Sequence, residues 1–264
     1  MISISPSLNK RKSDLRAVWV FCLVTAVLSI AILLLLPGYV GPALVVFIPA
    51  ITAVILISHS AGKRQVRPRL FSRRAWHFTF KWLLISLGLA LGLRLGVSLL
   101  GLVLVPGYQW QPGPISPLLL MVFLFAAAEE IGWRGFALPT MLKYGFHPIA
   151  AALLLGIPWA LLHLPLVLPD MLSAGTPPLA QFLVMMSLSI LVTWIYLAGG
   201  SSLSTAVLLH GGQNFFAILN DGLNPMASGW LMAAVYGAAA LLVALLSRGR
   251  LGWADDRQET APEQ

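Results

Sequence analysis

The sequence predicts an all-α polytopic membrane protein, a helix bundle with about eight transmembrane helices. Hydrophobic residues make up 58% of the chain and charged residues only 10%, whereas about a quarter of the residues in a soluble domain are charged. The apolar residues form long runs, comparable to the roughly 20 residues that a helix needs to cross a bilayer. The alternating pattern over about ten residues that is typical of a membrane β-barrel is absent.

Eight segments are long enough to be membrane helices: 17–36, 41–59, 77–104, 116–140, 148–166, 180–198, 203–219 and 227–247. Turn-forming residues separate several of them, such as Pro37 and Gly38 or the run at 221–225. We therefore predict one membrane domain over residues 17–247. A cytosolic N-terminal tail over 1–16 and a cytosolic C-terminal tail over 248–264 flank it.

The positions of the basic residues predict how the helices are oriented. The formal net charge is +8, and every Lys and Arg except Arg94 and Arg134 lies in the tails, around the loop between the second and third segments, or at Lys143. The loops at 105–115, 167–179 and 220–226 contain none. The positive-inside rule then predicts a multi-pass protein with both termini in the cytosol. This rule explains the basic charge without a nucleic-acid partner, and we expect the membrane to be a bacterial plasma membrane.

A few ionisable or polar side chains lie inside the apolar segments, where they are costly and usually serve a function. They are Arg94 in the third segment, Glu129, Glu130 and Arg134 in the fourth, His163 in the fifth, and His210 with Asn214 in the seventh. Glu130 and Arg134 are four residues apart, in the order that favours an ion pair on a helix. Glu129 lies about 100° further around the helix. We therefore predict that Arg134 neutralises Glu130 and that Glu129 stays free.

Depth within the bilayer allows these groups to form one site. At about 1.5 Å per residue from the predicted cytosolic helix ends, Glu129 lies about 16 Å deep, His163 about 22 Å and His210 about 11 Å. Tilted helices can bring all three together in the cytosolic half of the bilayer or near its midplane. Arg94 lies on the helix face opposite a stripe formed by Gly88, Gly92 and Gly96, and the stripe predicts close packing by another helix. Arg94 itself is expected to pair with a carboxylate or to line a wet cavity.

A carboxylate, two imidazoles and an amide are the groups needed to hydrolyse an acyl bond. The carboxylate can take a proton from water, imidazoles can orient that water or bind a metal, and an amide N–H can stabilise an oxyanion. The nucleophile motif G-x-S-x-G and the zinc motif H-E-x-x-H are both absent, so we predict water as the attacking group. Glu129, His163 and His210 could also hold a zinc ion. Water activated by Glu129 alone and metal-bound water both remain open at this point.

Three motifs resemble those of the CPBP family, the CAAX-protease and bacteriocin-processing (Abi) group of intramembrane endopeptidases. The family motif E-E-x-x-x-R appears as Glu129-Glu130-Ile-Gly-Trp-Arg134, and H-x-x-x-N appears as His210-Gly-Gly-Gln-Asn214. The motif F-x-x-x-H appears as Trp159-Ala-Leu-Leu-His163, in which tryptophan replaces phenylalanine. The resemblance covers about residues 115–220, and the tryptophan is expected to change only the shape of the pocket.

The resemblance implies an eight-helix intramembrane protease whose site opens toward the cytosol. It also implies that Glu129 activates water, that His163 assists or ligates, and that His210 with Asn214 stabilises the oxyanion, while Glu130 and Arg134 hold the motif in place. The substrate would be a peptide or membrane protein, including lipidated ones, because eukaryotic members trim prenylated C-terminal CAAX tails. The competing interpretation is a non-enzymatic scaffold, or a transporter that uses the buried polar cluster.

Overall fold

The structure is a computed structural model that describes residues 8–36 and 38–253 of the chain. Within these ranges it contains helices and connecting turns and no strand. The α-helices are α1 (Leu8–Leu35), α2 (Val40–Val45), α3 (Ile48–Ala61), α4 (Val66–Leu70), α5 (Phe80–Leu104), α6 (Met121–Gly132), α7 (Leu138–Lys143), α8 (Pro148–His163), α9 (Pro178–Ala198), α10 (Leu203–Phe215) and α11 (Pro225–Leu246). The predicted all-α polytopic bundle is confirmed.

All eight predicted segments are helical, but within the described ranges only six helical stretches are long and apolar enough to cross a membrane. These six are Lys10–Leu35, Val40–Ala61, Phe80–Leu104, Pro148–Val167, Pro178–Ala198 and Pro225–Leu246. The fourth predicted segment is divided into α6 and α7 by a π-helical turn at Trp133–Ala137. The seventh is α10, whose 13 residues span about 20 Å, less than the roughly 30 Å of a bilayer core. These two irregular segments carry the motifs E-E-x-x-x-R and H-x-x-x-N.

The outer surface of the bundle is apolar, as expected for a protein embedded in lipid. Leu35 in α1, Val103 in α5 and Leu246 in α11 are each at least three-quarters exposed. Many other large hydrophobic side chains are exposed as well, whereas a soluble protein rarely exposes large apolar areas. Together with the six long apolar helices, this surface identifies an integral membrane protein.

Glycine allows α10 to pack closely in the centre of the bundle, where it contacts α5, α6 and α9. A Cβ atom at Gly211 would lie 2.4 Å from the ring of Phe123, and one at Gly212 would lie 2.8 Å from Cβ of Ala90. Any larger residue at these two positions would push α10 away from α6 or α5. The two glycines separate His210 from Asn214, so close packing and the motif depend on the same helical turn.

The glycine stripe of α5 only partly forms the expected packing surface. At Gly88 and Gly92 a Cβ atom would meet no described atom within 4 Å, so the prediction is wrong for these two residues. At Gly96 it would lie 3.3 Å from the side chain of Val235 in α11. Of the three glycines, only Gly96 therefore lies where a side chain of α11 packs against α5.

The basic loops lie together at one end of the bundle, which we call the basic end. Arg11 in α1 donates a hydrogen bond to the backbone oxygen of Tyr144 at 3.2 Å, and Lys143 lies 3.6 Å from the carboxylate of Asp14. The backbone N–H of Ile149 also bonds to the oxygen of Gly249. The start of α1, the α7–α8 connection and the end of α11 therefore share this end.

We predict that the basic end faces the cytosol, because basic loops are retained there. Topology reporters fused at positions 38, 108, 172 and 223 should report from outside, and reporters fused at 68, 144 and 256 from inside. An outside signal at position 68 would reverse the topology.

Candidate active site

The two adjacent glutamates of α6 have different surroundings. Glu130 is fully buried, and its Oε1 accepts hydrogen bonds from Arg134 Nη1 at 3.1 Å and from His210 Nδ1 at 2.8 Å. Glu129 Oε2 accepts one hydrogen bond, from the indole Nε1 of Trp159 at 2.8 Å. Glu129 Oε1 bonds to no described residue. The predicted Glu130–Arg134 ion pair is present, and Glu129 has no such ion pair within the described ranges.

Arg134 connects three helices around the motif. It lies in the π-helical turn, where the widened backbone shifts its side chain relative to a regular α-helix. Its Nη2 lies 3.4 Å from the backbone oxygen and from Oγ of Ser189 in α9. Its guanidinium carbon lies 4.7 Å from the ring centre of Trp159 in α8, a cation–π contact. Arg134 therefore fixes the position of Glu130 relative to α8 and α9.

Both histidines use Nδ1 for a structural hydrogen bond. His163 Nδ1 lies 2.8 Å from the backbone oxygen of Trp159, and His210 Nδ1 lies 2.8 Å from Glu130 Oε1. Because a carbonyl and a carboxylate can only accept, each Nδ1 carries the hydrogen. In the neutral ring, Nε2 is then the free acceptor nitrogen. Each histidine can therefore offer Nε2 to water.

Trp159 contacts most of the ionisable groups in the site. Its ring centre lies 5.8 Å from that of His163 and 5.2 Å from that of His210, and both pairs are nearly perpendicular. It also donates its N–H to Glu129. The expectation that tryptophan in place of phenylalanine changes only pocket shape is wrong, because a phenylalanine ring has no N–H to donate.

The four residues predicted to be catalytic line one cavity of about 540 Å³. They are Glu129, His163, His210 and Asn214. Asn214 is exposed and makes no hydrogen bond to a described residue, so its amide is free for a ligand. Arg94 lines the same cavity. Of its two expected roles, lining the cavity is observed, and it forms no salt bridge with a carboxylate in the described ranges.

The cavity reaches the end of the bundle opposite the basic end. Tyr39 and Pro42, beside the α1–α2 connection, line it together with Leu172 and Ser173 from the loop after α8. On the other side of the site, Trp133 packs edge-on against Phe21 and fills the bundle. The expected opening toward a cytosolic basic end is therefore not observed. A cytosolic basic end and a site open to the cytosol cannot both be correct, and the reporter fusions decide between them.

A second cavity, of about 660 Å³, lies at the basic end. Arg69, Arg74 and Lys143 line it, and none of the predicted site residues does. Its basic lining follows from the loops at this end. We therefore place the candidate site in the smaller cavity, where the carboxylate, imidazole and amide groups lie.

The zinc ligands considered from the sequence share the cavity without forming a metal-binding group. Within residues 8–36 and 38–253, no three His, Cys, Asp or Glu side chains are placed to hold one ion. A zinc ion held by Glu129, His163 and His210 stays a prediction from the sequence. The mechanism below is built on the protein's own side chains, and metal dependence is tested directly.

Fold and site define a polytopic membrane protein with a carboxylate–histidine site enclosed by its helices. A family model described as Type II CAAX prenyl endopeptidase Rce1-like matches residues 111–216, which include all three motifs. CAAX prenyl protease 2 from Methanococcus maripaludis is 26% identical over 214 residues, covering 73% of this chain and 76% of that protein. Together with the motifs, these comparisons support assigning the chain to the CPBP family and support an intramembrane endopeptidase.

Proposed function

We propose that the chain is an intramembrane endopeptidase that hydrolyses a peptide bond with water activated by Glu129. The observation that carries this proposal is the difference between the two glutamates. Arg134 and His210 both bind Oε1 of Glu130, whose Oε2 is buried without a described hydrogen-bond partner and does not reach the cavity. Glu129 lines the cavity together with two imidazoles and a free amide, and its Oε1 has no described partner there. A general base needs such a free carboxylate oxygen within reach of water.

In the proposed reaction, Glu129 Oε1 takes a proton from water while the water oxygen bonds to the peptide carbonyl carbon. Trp159 holds Oε2 and so orients the carboxylate. His163 Nε2 accepts a hydrogen bond from the second hydrogen of the water and so directs the attack of the water oxygen. Protonated Glu129 then gives the proton to the peptide nitrogen as the C–N bond breaks, which yields a new carboxyl group and a new amine.

Asn214 is the proposed oxyanion donor, because its amide N–H groups bond to no described residue. His210 can join it only as an imidazolium, since Nε2 of the neutral ring has no hydrogen. The Glu130 carboxylate at 2.8 Å stabilises that cation. Glu130 and Arg134 thus act by holding the motif and His210 in place.

The proposed substrate is a peptide or membrane protein segment that enters from the bilayer, including lipidated ones. Apolar side chains such as Val184, Met185 and Leu188 line much of the cavity. This lining suits an apolar peptide or an attached lipid chain. The name of the Methanococcus relative makes a prenylated peptide the first substrate to test. A scaffold or transporter would bind such a peptide without cleaving it.

Chelation tests whether Glu129 acts without a metal. We expect purified protein to remain active after chelator treatment and to contain no stoichiometric zinc by elemental analysis. His163→Ala should lower turnover without changing metal content. If instead zinc is stoichiometric, and if its removal abolishes cleavage and its return restores it, the water is metal-bound.

Trp159→Phe tests the hydrogen bond to Glu129. The variant keeps an aromatic ring beside both histidines but removes the N–H donor, and hydrogen bonds to charged groups contribute about 1.5–3 kcal/mol. We therefore expect kcat to fall by about ten- to a hundredfold, while KM changes little.

Trp133→Phe is the matched control, because Trp133 is also a buried tryptophan and its Nε1 has no hydrogen-bond partner. It loses the same atoms without losing a hydrogen bond, and it should keep most of its activity. Equal losses in both variants would mean that ring volume, and not the hydrogen bond, matters.

A further inference from the structure

The candidate site contains a cation with no anionic partner among the described residues. Arg94 in α5 lines the cavity, and only 8% of its surface is exposed. Its Nε donates to the backbone oxygen of Gln213 at 2.9 Å, and its Nη1 lies 3.1 Å from Asn220 Oδ1 and 3.3 Å from Met232 Sδ. All three partners are neutral. Its Nη2 donates to no described residue.

Asn220 holds both the side chain and the backbone of Arg94 in place. Asn220 Nδ2 donates back to the backbone oxygen of Arg94 at 2.9 Å and lies 2.8 Å from Ser98 Oγ. The guanidinium is therefore anchored to the segment that follows α10, close to the helix that carries His210 and Asn214. An anchored donor loses little conformational entropy when it binds a ligand.

The other deeply buried arginine shows what Arg94 lacks. Arg134 has the carboxylate of Glu130 at 3.1 Å, which compensates its charge. A buried charge without a counter-ion is costly, and such groups inside membranes usually serve function. An anion that enters the cavity would compensate Arg94.

We propose that Arg94 is a binding subsite for a carboxylate of the peptide substrate, in the cavity that contains Glu129. This inference rests on the proposed function, which supplies a peptide as the ligand. A carboxylate suits the site because the guanidinium and the carboxylate are both planar and form strong charge-assisted hydrogen bonds. One monovalent cation without an ion-pair partner among the described residues also matches one monovalent anion.

The carboxylate can come from the C-terminus of the peptide or from an Asp or Glu side chain. With either source, the cleaved bond and the bound carboxylate would lie in the same cavity, because both Arg94 and Glu129 line it. The subsite would then select both the substrate and the position of the cut.

Peptide binding to the Glu129→Gln protein tests the subsite without requiring cleavage. The probes are three fluorescent apolar peptides: a free acid, its C-terminal amide, and the same amide with Glu in place of the last residue. Fluorescence anisotropy should show the acid binding about ten- to a hundredfold more tightly than the amide. Recovery of tight binding by the Glu-containing amide identifies a side-chain carboxylate as a ligand; failure to recover identifies the C-terminus.

Two further variants in the Glu129→Gln background separate charge from folding. Adding Arg94→Gln should reduce the acid-to-amide ratio to about one. Asn220→Ala removes the same helix connection but keeps the charge, so it should retain the preference for the acid even if it lowers stability.

Equal binding of all three peptides to the Glu129→Gln protein would overturn the subsite, even if the wild-type protein cleaves peptides. A preference for the acid that depends on Arg94, in a wild-type protein that cleaves nothing, would support the subsite and reject the proteolytic function. A preference that persists in the Arg94→Gln protein would overturn the assignment to Arg94.

Discussion

Glu130→Gln should lower the free energy of unfolding by about 3–5 kcal/mol, the usual cost of removing one member of a buried ion pair. Glu130 Oε1 binds both Arg134 and His210, and all three side chains are buried. A glutamine has no charge to compensate Arg134, whose remaining polar contacts are the two 3.4 Å contacts to Ser189. The variant should therefore give a low yield of folded protein and a lower Tm in detergent.

Glu129→Gln is the matched control for this prediction. The glutamine oxygen can still accept the hydrogen bond from Trp159, and no described cation loses a partner. Its yield and Tm should therefore equal those of the wild type, while its activity is lost. Equal stability of the two variants would show that the glutamates do not divide structural and catalytic roles as proposed.

Asn214→Ala should lower kcat by about a hundred- to a thousandfold, the usual effect of losing one oxyanion-hole donor. Its side chain is exposed to the cavity and bonds to no described residue, so its removal should cost little stability. KM should change little, because the donor acts mainly in the transition state. Steady-state kinetics and thermal unfolding together test this prediction.

Asn214→Asp refines the test, since aspartate keeps the shape of asparagine but has no N–H to donate. It should lose activity as the alanine variant does. Wild-type kcat in Asn214→Asp would exclude Asn214 as the oxyanion donor.

The local contacts of the site could be predicted from the sequence, and the long-range contacts could not. The Glu130–Arg134 pair follows from a spacing of four residues on one helix. The His210–Glu130 hydrogen bond joins residues 80 positions apart. The spacing of residues within one helix cannot predict such a contact between two helices. The Trp159–Glu129 bond had a signal in the sequence, because tryptophan replaces phenylalanine in the motif and adds an N–H donor.

The fold shows the same limit. Apolar run length predicted all eight helical segments, since it reflects the cost of exposing polar backbone to lipid. It could not predict the π-helical turn at Trp133–Ala137, because a hydropathy pattern does not distinguish a π-turn from a regular α-helical turn. The side on which the cavity opens also depends on how the connections near Tyr39 and Leu172 pack, and hydropathy does not report that packing.

The central claim is that Glu129 activates water for peptide hydrolysis inside the bundle. The most direct measurement compares wild-type protein with Glu129→Ala, both purified and reconstituted in liposomes with a prenylated peptide, and identifies the products by mass spectrometry. The account predicts two products from cleavage of one peptide bond by the wild type, and none from a Glu129→Ala protein with the same Tm. Cleavage by Glu129→Ala at the wild-type rate would contradict it.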